Sequence, residues 1–310
     1  MRQYIVGIDV GGTNIKLGLL NLQCKIIARS HLLTKRFIRN KKRLIQALVD
    51  DIRLLIEEKK LTSRDILGIG VGLPGLIHFD HGIVNFLPNI PGWRNVPLKK
   101  IIESKLRIPT FLDNDVNLIT LGEWEYGAGR GYKNLVCITL GTGVGGGIVL
   151  NNALYRGEGF VAGEIGHMPL NEEGLPCNCG GWGCLERTVG NDQLLEKARK
   201  IFKNKELKLE DIFYLANQGN ARAVEFWEKA ALHIGNGLVG VVNLLNPRLI
   251  IIGGGVANNF KYLGGTINKV IKKRCMNVQR GMVKIVRNKL GDDAGIIGAG
   301  VLVKSLRGNL

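Results

Sequence analysis

Ile8-Asp9-Val10-Gly11-Gly12-Thr13 near the start of the chain and Thr139-Leu140-Gly141-Thr142-Gly143 in its middle follow one pattern: an apolar strand, a turn of small residues, then a returning strand. Around the first turn lie Tyr4–Asp9 and Asn14–Leu20, the latter with Ile15, Leu17 and Leu19 alternating, and Lys25–Ala28 follows the Asn21–Gln23 turn. Period-two alternation punctuated by glycine predicts an antiparallel meander. Leu135–Leu140 and Gly145–Leu150 flank the second turn, and a third glycine turn, Gly253-Gly254-Gly255, ends the unbroken apolar strand Leu249–Ile252. One theme in each half predicts a duplicated, two-domain α/β fold with a deep cleft between the domains.

Working outward, Leu44, Leu48, Ile52, Leu55 and Ile56 recur at helical spacing, which predicts a helix over about Lys41–Lys60. The buried strand Leu67–Val71 ends at Gly72-Leu-Pro-Gly75, and residues 76–97 look loop-rich. A helix near Leu98–Lys105 leads to the strand Thr110–Leu112, and Asp113-Asn114-Asp115 stands where that strand gives way to a helix over Val116–Tyr126. Helices at Asp192–Phe202, Ala221–Leu245 and Ala294–Arg307 complete the pattern. With no linker in sight, the expected division is 1–118 plus 296–310 for a smaller domain and 119–295 for a larger one.

Length and composition agree with this. The 310 residues are enough for two domains; 45% hydrophobic and 22% charged residues exclude long disorder and a small disulfide scaffold. Forty-three glycines are about twice ordinary usage and, in short groups, point to tight turns and close backbone approaches. No apolar run reaches the roughly 18 residues of a membrane span, and Asp9 interrupts any signal-peptide core, so a soluble, cytoplasmic protein without a membrane partner is expected. The formal charge of +17 would suit a nucleic-acid binder, and residues 262–291 carry eight Lys and Arg and no acid. That segment lacks interleaved aromatics and the remaining excess is dispersed, which reads as a basic solvated surface with some steering of anionic substrates.

Backbone N–H groups exposed by glycine turns form anion sites. None of the three turns is a P-loop or a dinucleotide fingerprint, yet together they fit a nucleotide held between two lobes, with Asp9 placed to hold Mg²⁺ through water. Either Asp115 or Asn114 merely caps the next helix, or Asp115, at a strand's C-terminal end where α/β proteins place ligands, is a general base. His167 with Cys177, Cys179 and Cys184 supplies one imidazole and three thiolates, a closed tetrahedral zinc set and therefore structural. The metal loop would span 163–187, with Glu164 and Glu186 flanking it on a solvated face or facing a polyol.

Asp9-Val-Gly-Gly-Thr13, Leu112-Asp-Asn-Asp-Val-Asn117, Leu140-Gly-Thr-Gly-Val-Gly-Gly-Gly147, Glu164-Ile-Gly-His167 and the Cys177–Glu186 knuckle resemble the ROK family of sugar kinases and sugar-responsive repressors, within the actin-like, hexokinase-like ATPases. The likeness runs from Ile5 to Leu302. It implies a fold of duplicated ribonuclease-H-like lobes and ATP-dependent phosphorylation of a hexose 6-hydroxyl, glucose foremost, with Asp115 as the base. By the same resemblance the sugar would meet Gly75, Asn89, Asn114, Asp115, Glu164, His167 and Glu186. Asp9, Gly11, Gly12, Thr13, Lys16, Gly141, Thr142, Gly143, Gly254 and Gly255 would meet MgATP. His167 would ligate zinc through one ring nitrogen and meet a sugar hydroxyl with the other. A homodimer or homotetramer is implied as well.

Kinases of N-acetylmannosamine, N-acetylglucosamine or another hexose would share these motifs, and polyphosphate as donor draws support only from the basic excess. ROK repressors carry a DNA-binding helix-turn-helix ahead of the first phosphate motif. Here Asp9 arrives almost at once, so an enzyme is expected rather than a DNA-bound sugar sensor.

Overall fold

The computed structural model describes residues 2–37, 40–88 and 92–307. Its contacts divide the chain into two compact units: Met1–Gly131 with Leu154–Ala162 and Asp292–Leu310, and Tyr132–Ala153 with Gly163–Gly291.

In the first unit the strands are β1 (Tyr4–Val10), β2 (Asn14–Asn21), β3 (Ile26–Leu33), β4 (Ile66–Leu73), β5 (Leu76–His78), β6 (Ile83–Phe86), β7 (Arg94–Val96) and β8 (Thr110–Asn114). Its helices α1 (Lys41–Glu57), α2 (Leu98–Leu106) and α3 (Asp115–Glu125) interleave with them. The second unit holds β9 (Leu135–Leu140), β10 (Val144–Leu150), β12 (Leu249–Gly253) and β13 (Lys284–Arg287), and the chain passes between the units at β11 (Ala153–Tyr155). Its helices are α4 (Glu186–Val189), α5 (Asn191–Phe202), α6 (Leu209–Asn217), α7 (Ala221–Leu245), α8 (Phe260–Arg274) and α9 (Asn277–Arg280). The last helix, α10 (Ala294–Arg307), returns to the first unit.

The first sheet runs β3-β2-β1-β4-β8. Within it β1 is antiparallel to β2, with Asp9 opposite Lys16, while β1–β4 and β4–β8 are parallel. In the second, β9 is antiparallel to β10, and β9–β12 and β12–β13 are parallel. The run β2-β1-β4-β8 and the run β10-β9-β12-β13 thus repeat one order of pairings, the duplication anticipated from the two glycine turns.

Alternation along β1 and β2 builds two cores. Val6, Ile8, Val10, Ile15, Leu17 and Leu19 meet α1 through Leu44, Leu48, Ile52 and Leu55. Each such aliphatic, fully buried, contributes about 1.5–3 kcal/mol. Helix α1 begins where Asn40 accepts a hydrogen bond from Arg43 N–H, satisfying one of its unpaired amides. On the opposite side Ile5 and Leu20 join Leu118 and Leu121 of α3 and Ile296, Ala299 and Leu302 of α10. Glycines let α10 lie directly on the strands: a Cβ on Gly7 would stand 2.4 Å from Ile296 O, and one on Gly70 2.3 Å from Ala299 O. Where α10 crosses α3, a Cβ on Gly298 would fall 1.7 Å from Leu118 O. The second core gathers Val136, Ile138, Ile250 and Ile252 with Phe226, Trp227, Ile234 and Leu238 of α7 and Leu263, Ile267 and Ile271 of α8.

Three features differ from expectation. Residues 76–97 contain a three-stranded sheet, β5-β6-β7, whose strands of three and four residues are too short to show periodicity. Helix α8 starts directly after the 3-10 turn Gly255–Asn259 and has Gly264 and Gly265 inside it, which masks its pattern. Residues 119–131, 154–162 and 292–295 go with the first unit instead of the second, α3 meeting α10 through Leu118, Leu121 and Trp124.

The crossing at Gly298 can be tested with a control. Adding a methyl group there is expected to destabilise the fold by about 1–3 kcal/mol, whereas Gly265, exposed in α8 with nothing near its Cβ position, should gain about 0.5–1 kcal/mol on Gly265→Ala. Urea unfolding of Gly298→Ala and Gly265→Ala should give midpoint shifts of opposite sign.

Candidate functional site

In the first unit the candidate residues cluster at one edge of the sheet, around the C-terminal ends of β1, β4 and β8. Asp9 is partly buried near the end of β1, and burial raises its carboxyl pKa despite the pull of Lys16; Asp292 adds to the rise. Lys16 reaches Asp292, Nζ to Oδ2 3.5 Å. A Cβ on Gly295 would stand 2.7 Å from the Asp9 carboxylate, so only glycine lets the first turn of α10 abut it. The turn between β1 and β2 is pinned from outside: Thr34 Oγ1 donates to Gly11 O at 2.8 Å and Thr34 N–H to Thr13 O at 3.0 Å. Gly12 and Thr13 stay exposed.

At the junction of β8 with α3, the capping task falls to Asn114. Its Oδ1 accepts from Val116 N–H at 2.9 Å and Asn117 N–H at 3.3 Å, and its Nδ2 donates to Gly75 O at 3.3 Å. Asp115, half-buried, opens the helix, with Oδ1 2.9 Å from Val116 N. Gly75 has φ +100°, and a Cβ there would lie 2.4 Å from Phe86 O. Asn89 lies outside the described residues. A concavity of about 380 Å³ is lined by Lys41, Trp93, Arg94 and residues on either side of Asn89 in the chain, and Asp115 is not among its lining.

Sequence reasoning missed the residue that completes this junction. Asp113, its side chain 4% exposed, takes Arg156 Nη2 at 2.7 Å and Nε at 2.9 Å on Oδ2. Its Oδ1 accepts from Asn114 N–H at 2.8 Å and Asn117 Nδ2 at 2.9 Å. Arg156 stands 43 positions along the chain, and no local pattern marks it.

In the second unit the turns Gly141–Gly143 and Gly253–Gly255 end neighbouring parallel strands, Thr139 opposite Gly253. Gly254, φ +82°, fits only because it lacks a Cβ, which would meet Leu140 O at 2.3 Å. Thr142, Gly143, Gly254 and Gly255 are exposed. Glu186, at the start of α4, accepts from Val144 N–H at 2.9 Å through Oε2. The 3-10 turn Ile165–His167 lies against β10, where a Cβ on Gly166 would stand 2.0 Å from Val144 O. Partial burial, then the charge of Glu186, raises the Glu164 carboxyl pKa against the pull of His167.

His167, Cys177, Cys179 and Cys184 bring their ligand atoms within 4.8 Å of one another. His167 Nδ1 faces Cys177 Sγ at 3.6 Å, while its Nε2 is 3.8 Å from Glu164 Oε2. The ring therefore presents one nitrogen to the sulfurs and the other to the carboxylate. Burial and the adjacent thiols push the Cys184 thiol up to about 12; a bound cation would let it ionise. The residues fit zinc: soft thiolates and one imidazole, four donors from protein. Two short antiparallel bridges, Pro169–Cys184 and Pro176–Trp182, hold the loop closed around them.

Duplicated sheets with exposed glycine turns at their ends, an acid beside one turn and a second acid at a strand-to-helix junction define the actin-like, hexokinase-like ATPase fold. The chain belongs to the ROK family, whose model matches residues 5–306. It is 37% identical to a glucokinase of Halalkalibacterium halodurans over 97% of this chain and 95% of that protein. It is 31% identical to a xylose repressor of Caldicellulosiruptor bescii, over 97% of this chain and 78% of the repressor. The crystal structure of a ROK family glucokinase from Streptomyces griseus, in complex with glucose and AMPPNP, superposes with a TM-score of 0.84 at 29% identity, covering 97% of this chain and 99% of that one. No described helix is long and apolar enough to cross a membrane.

Elemental analysis of the purified protein is expected to find about one zinc per chain, and Cys177→Ser to lose most of it. A wild-type protein that binds no zinc would remove the metal assignment.

Proposed function

We infer that the chain is a sugar kinase that transfers the γ-phosphate of MgATP to the 6-hydroxyl of glucose, with Asp115 as general base. The observation that carries this is the β8–α3 junction: Asn114 caps α3 through Val116 N–H and Asn117 N–H, and Asp115, half-buried at the C-terminal end of β8, opens the helix with its Oδ1 sharing Val116 N–H. Full-length similarity to glucokinases supports glucose as the acceptor.

In the reaction, Asp115 takes the proton of the sugar hydroxyl as its oxygen bonds to the γ-phosphorus. The bond from that phosphorus to the β,γ-bridging oxygen breaks, and ADP leaves with the electron pair. A positioned base of this kind is worth about 10²–10⁴-fold. Asn114, Glu164, Glu186, the Nε2 side of His167 and the backbone at Gly75 supply sugar contacts, with Asn89 assigned to the same set. Gly11, Gly12, Thr13 and Lys16 of the first unit, and Gly141, Thr142, Gly143, Gly254 and Gly255 of the second, are assigned to the nucleotide; Gly11 and Gly141 spend their N–H groups inside their own turns, on Asn14 O and Gly143 O, and so shape the turns, while Lys16 offers an ammonium.

Two bound cations belong to this assignment. Asp9 would hold Mg²⁺, which neutralises charge on the transferred phosphate. Zinc on His167, Cys177, Cys179 and Cys184 would fix the loop and force the His167 Nε2 into the N–H donor form.

In a coupled assay of ADP release with glucose, Asp115→Ala is expected to lower kcat by about 10²–10⁴-fold and leave the KM for MgATP near wild type. Wild-type turnover in that variant would remove Asp115 from the chemistry. Asp9→Asn should separate stability from function. A carboxyl whose pKa is raised in the fold costs stability once it ionises, from the unfolded-state value upward, so at pH 7 the variant should melt no lower than wild type while turnover collapses.

A further inference from the structure

Asp113 is a carboxylate with every acceptor position in use. Oδ2 takes Arg156 Nε at 2.9 Å and Nη2 at 2.7 Å; Oδ1 takes Asn114 N–H at 2.8 Å and Asn117 Nδ2 at 2.9 Å. A carboxylate has about four lone-pair sites, so its rotation is fixed from both sides. The two donors on Oδ1 belong to the residue before Asp115 and to the first turn of the helix that Asp115 opens. The two donors on Oδ2 come from one guanidinium, itself held with its Cζ 3.8 Å from the Phe79 ring centroid. A cation over a ring with a buried carboxylate as partner is confined in direction as well as position.

We propose that Arg156 is a positioning residue for phosphoryl transfer: by clamping Asp113 it sets the turn that aims Asp115. The inference rests on the kinase assignment above, in which Asp115 is the base. Bulk stability alone does not explain the arrangement, because a buried ion pair is weak as a stabiliser and could be replaced by apolar residues of similar size. What an apolar pair would not supply is an oriented Oδ1 acceptor at residue 113. Arg156 also lies in the excursion 154–162 that belongs to the first unit, in a chain that returns to the second unit at Gly163, next to Glu164.

The test compares Arg156→Lys and Arg156→Gln with wild type and Asp115→Ala, using steady-state kinetics on glucose and MgATP, thermal melts, and amide hydrogen exchange of the peptide spanning 112–118. Lysine keeps the charge and a single donor group; glutamine leaves the buried carboxylate without a counter-charge. Expected is a fall in kcat of between about tenfold and 10²-fold for Arg156→Gln, a smaller fall for Arg156→Lys, a KM for MgATP within about twofold of wild type, and faster exchange at 112–118 in both. Melts above the assay temperature with wild-type kcat in both variants would overturn the inference, since that is the behaviour of a residue that only stabilises. If Arg156→Gln does not fold, Arg156→Lys decides alone: lowered kcat with faster exchange supports positioning, and unchanged values overturn it. A wild-type protein without activity on any hexose would sink the kinase assignment, and the exchange comparison would still report whether Arg156 holds the turn.

Discussion

The architecture depends on backbone meeting backbone with no side chain between. Helix α10 can cover the first sheet only because Gly7 and Gly70 have no Cβ to push it away from the carbonyls of Ile296 and Ala299. The same device brings Gly298 onto Leu118 and, in the second unit, sets Gly166 on Val144 and Gly254 on Leu140. Three such approaches adjoin candidate residues: Gly295 abuts Asp9, Gly72 of β4 lies under Asp115, and Gly166 precedes His167. Cores packed like crystals transmit small displacements, so a single methyl group at these contacts would be felt at the site.

Much of this was legible in the sequence because it is local. A strand, a glycine turn and a returning strand lie within a few residues of each other, and a Cys-x-Cys-x4-Cys spacing with a nearby histidine closes a metal set by short loops alone. The junction at Asn114 and Asp115 was half legible: the sequence offered either residue as the cap, and the hydrogen bonds give that task chiefly to Asn114, which takes Val116 N–H and Asn117 N–H, the former shared with Asp115 Oδ1. Arg156 was not legible at all. It meets Asp113 through tertiary folding across 43 positions, and an arginine before a glycine in a polar stretch has no period to betray it. The small β5-β6-β7 sheet escaped for another reason, its strands being shorter than the window over which alternation can be recognised.

Histidine 167 joins the two kinds of site. Its Nδ1 faces sulfur and its Nε2 faces Glu164, so whatever fixes the first nitrogen also sets the hydrogen-bonding character of the second. In the proposed kinase, a metal held on the first nitrogen would thereby bear on sugar recognition at the second, without having to approach the reacting atoms. The basic surface plays a broader part. In the proposed kinase a formal charge of +17 would favour the approach of anionic nucleotides.

The final helix has a bearing on how the protein is made. Domains emerging from a ribosome generally fold as they appear, N-terminal first, yet the first unit here draws a face of its core from α10, at the far end of the chain. During translation the opening sheet must wait, with Ile5, Leu20 and Leu121 uncovered, until the second unit has been synthesised. The second unit, contiguous but for residues 154–162, can close first. Completion of the first unit's core thus depends on a segment separated from its opening strands by the whole of the second unit.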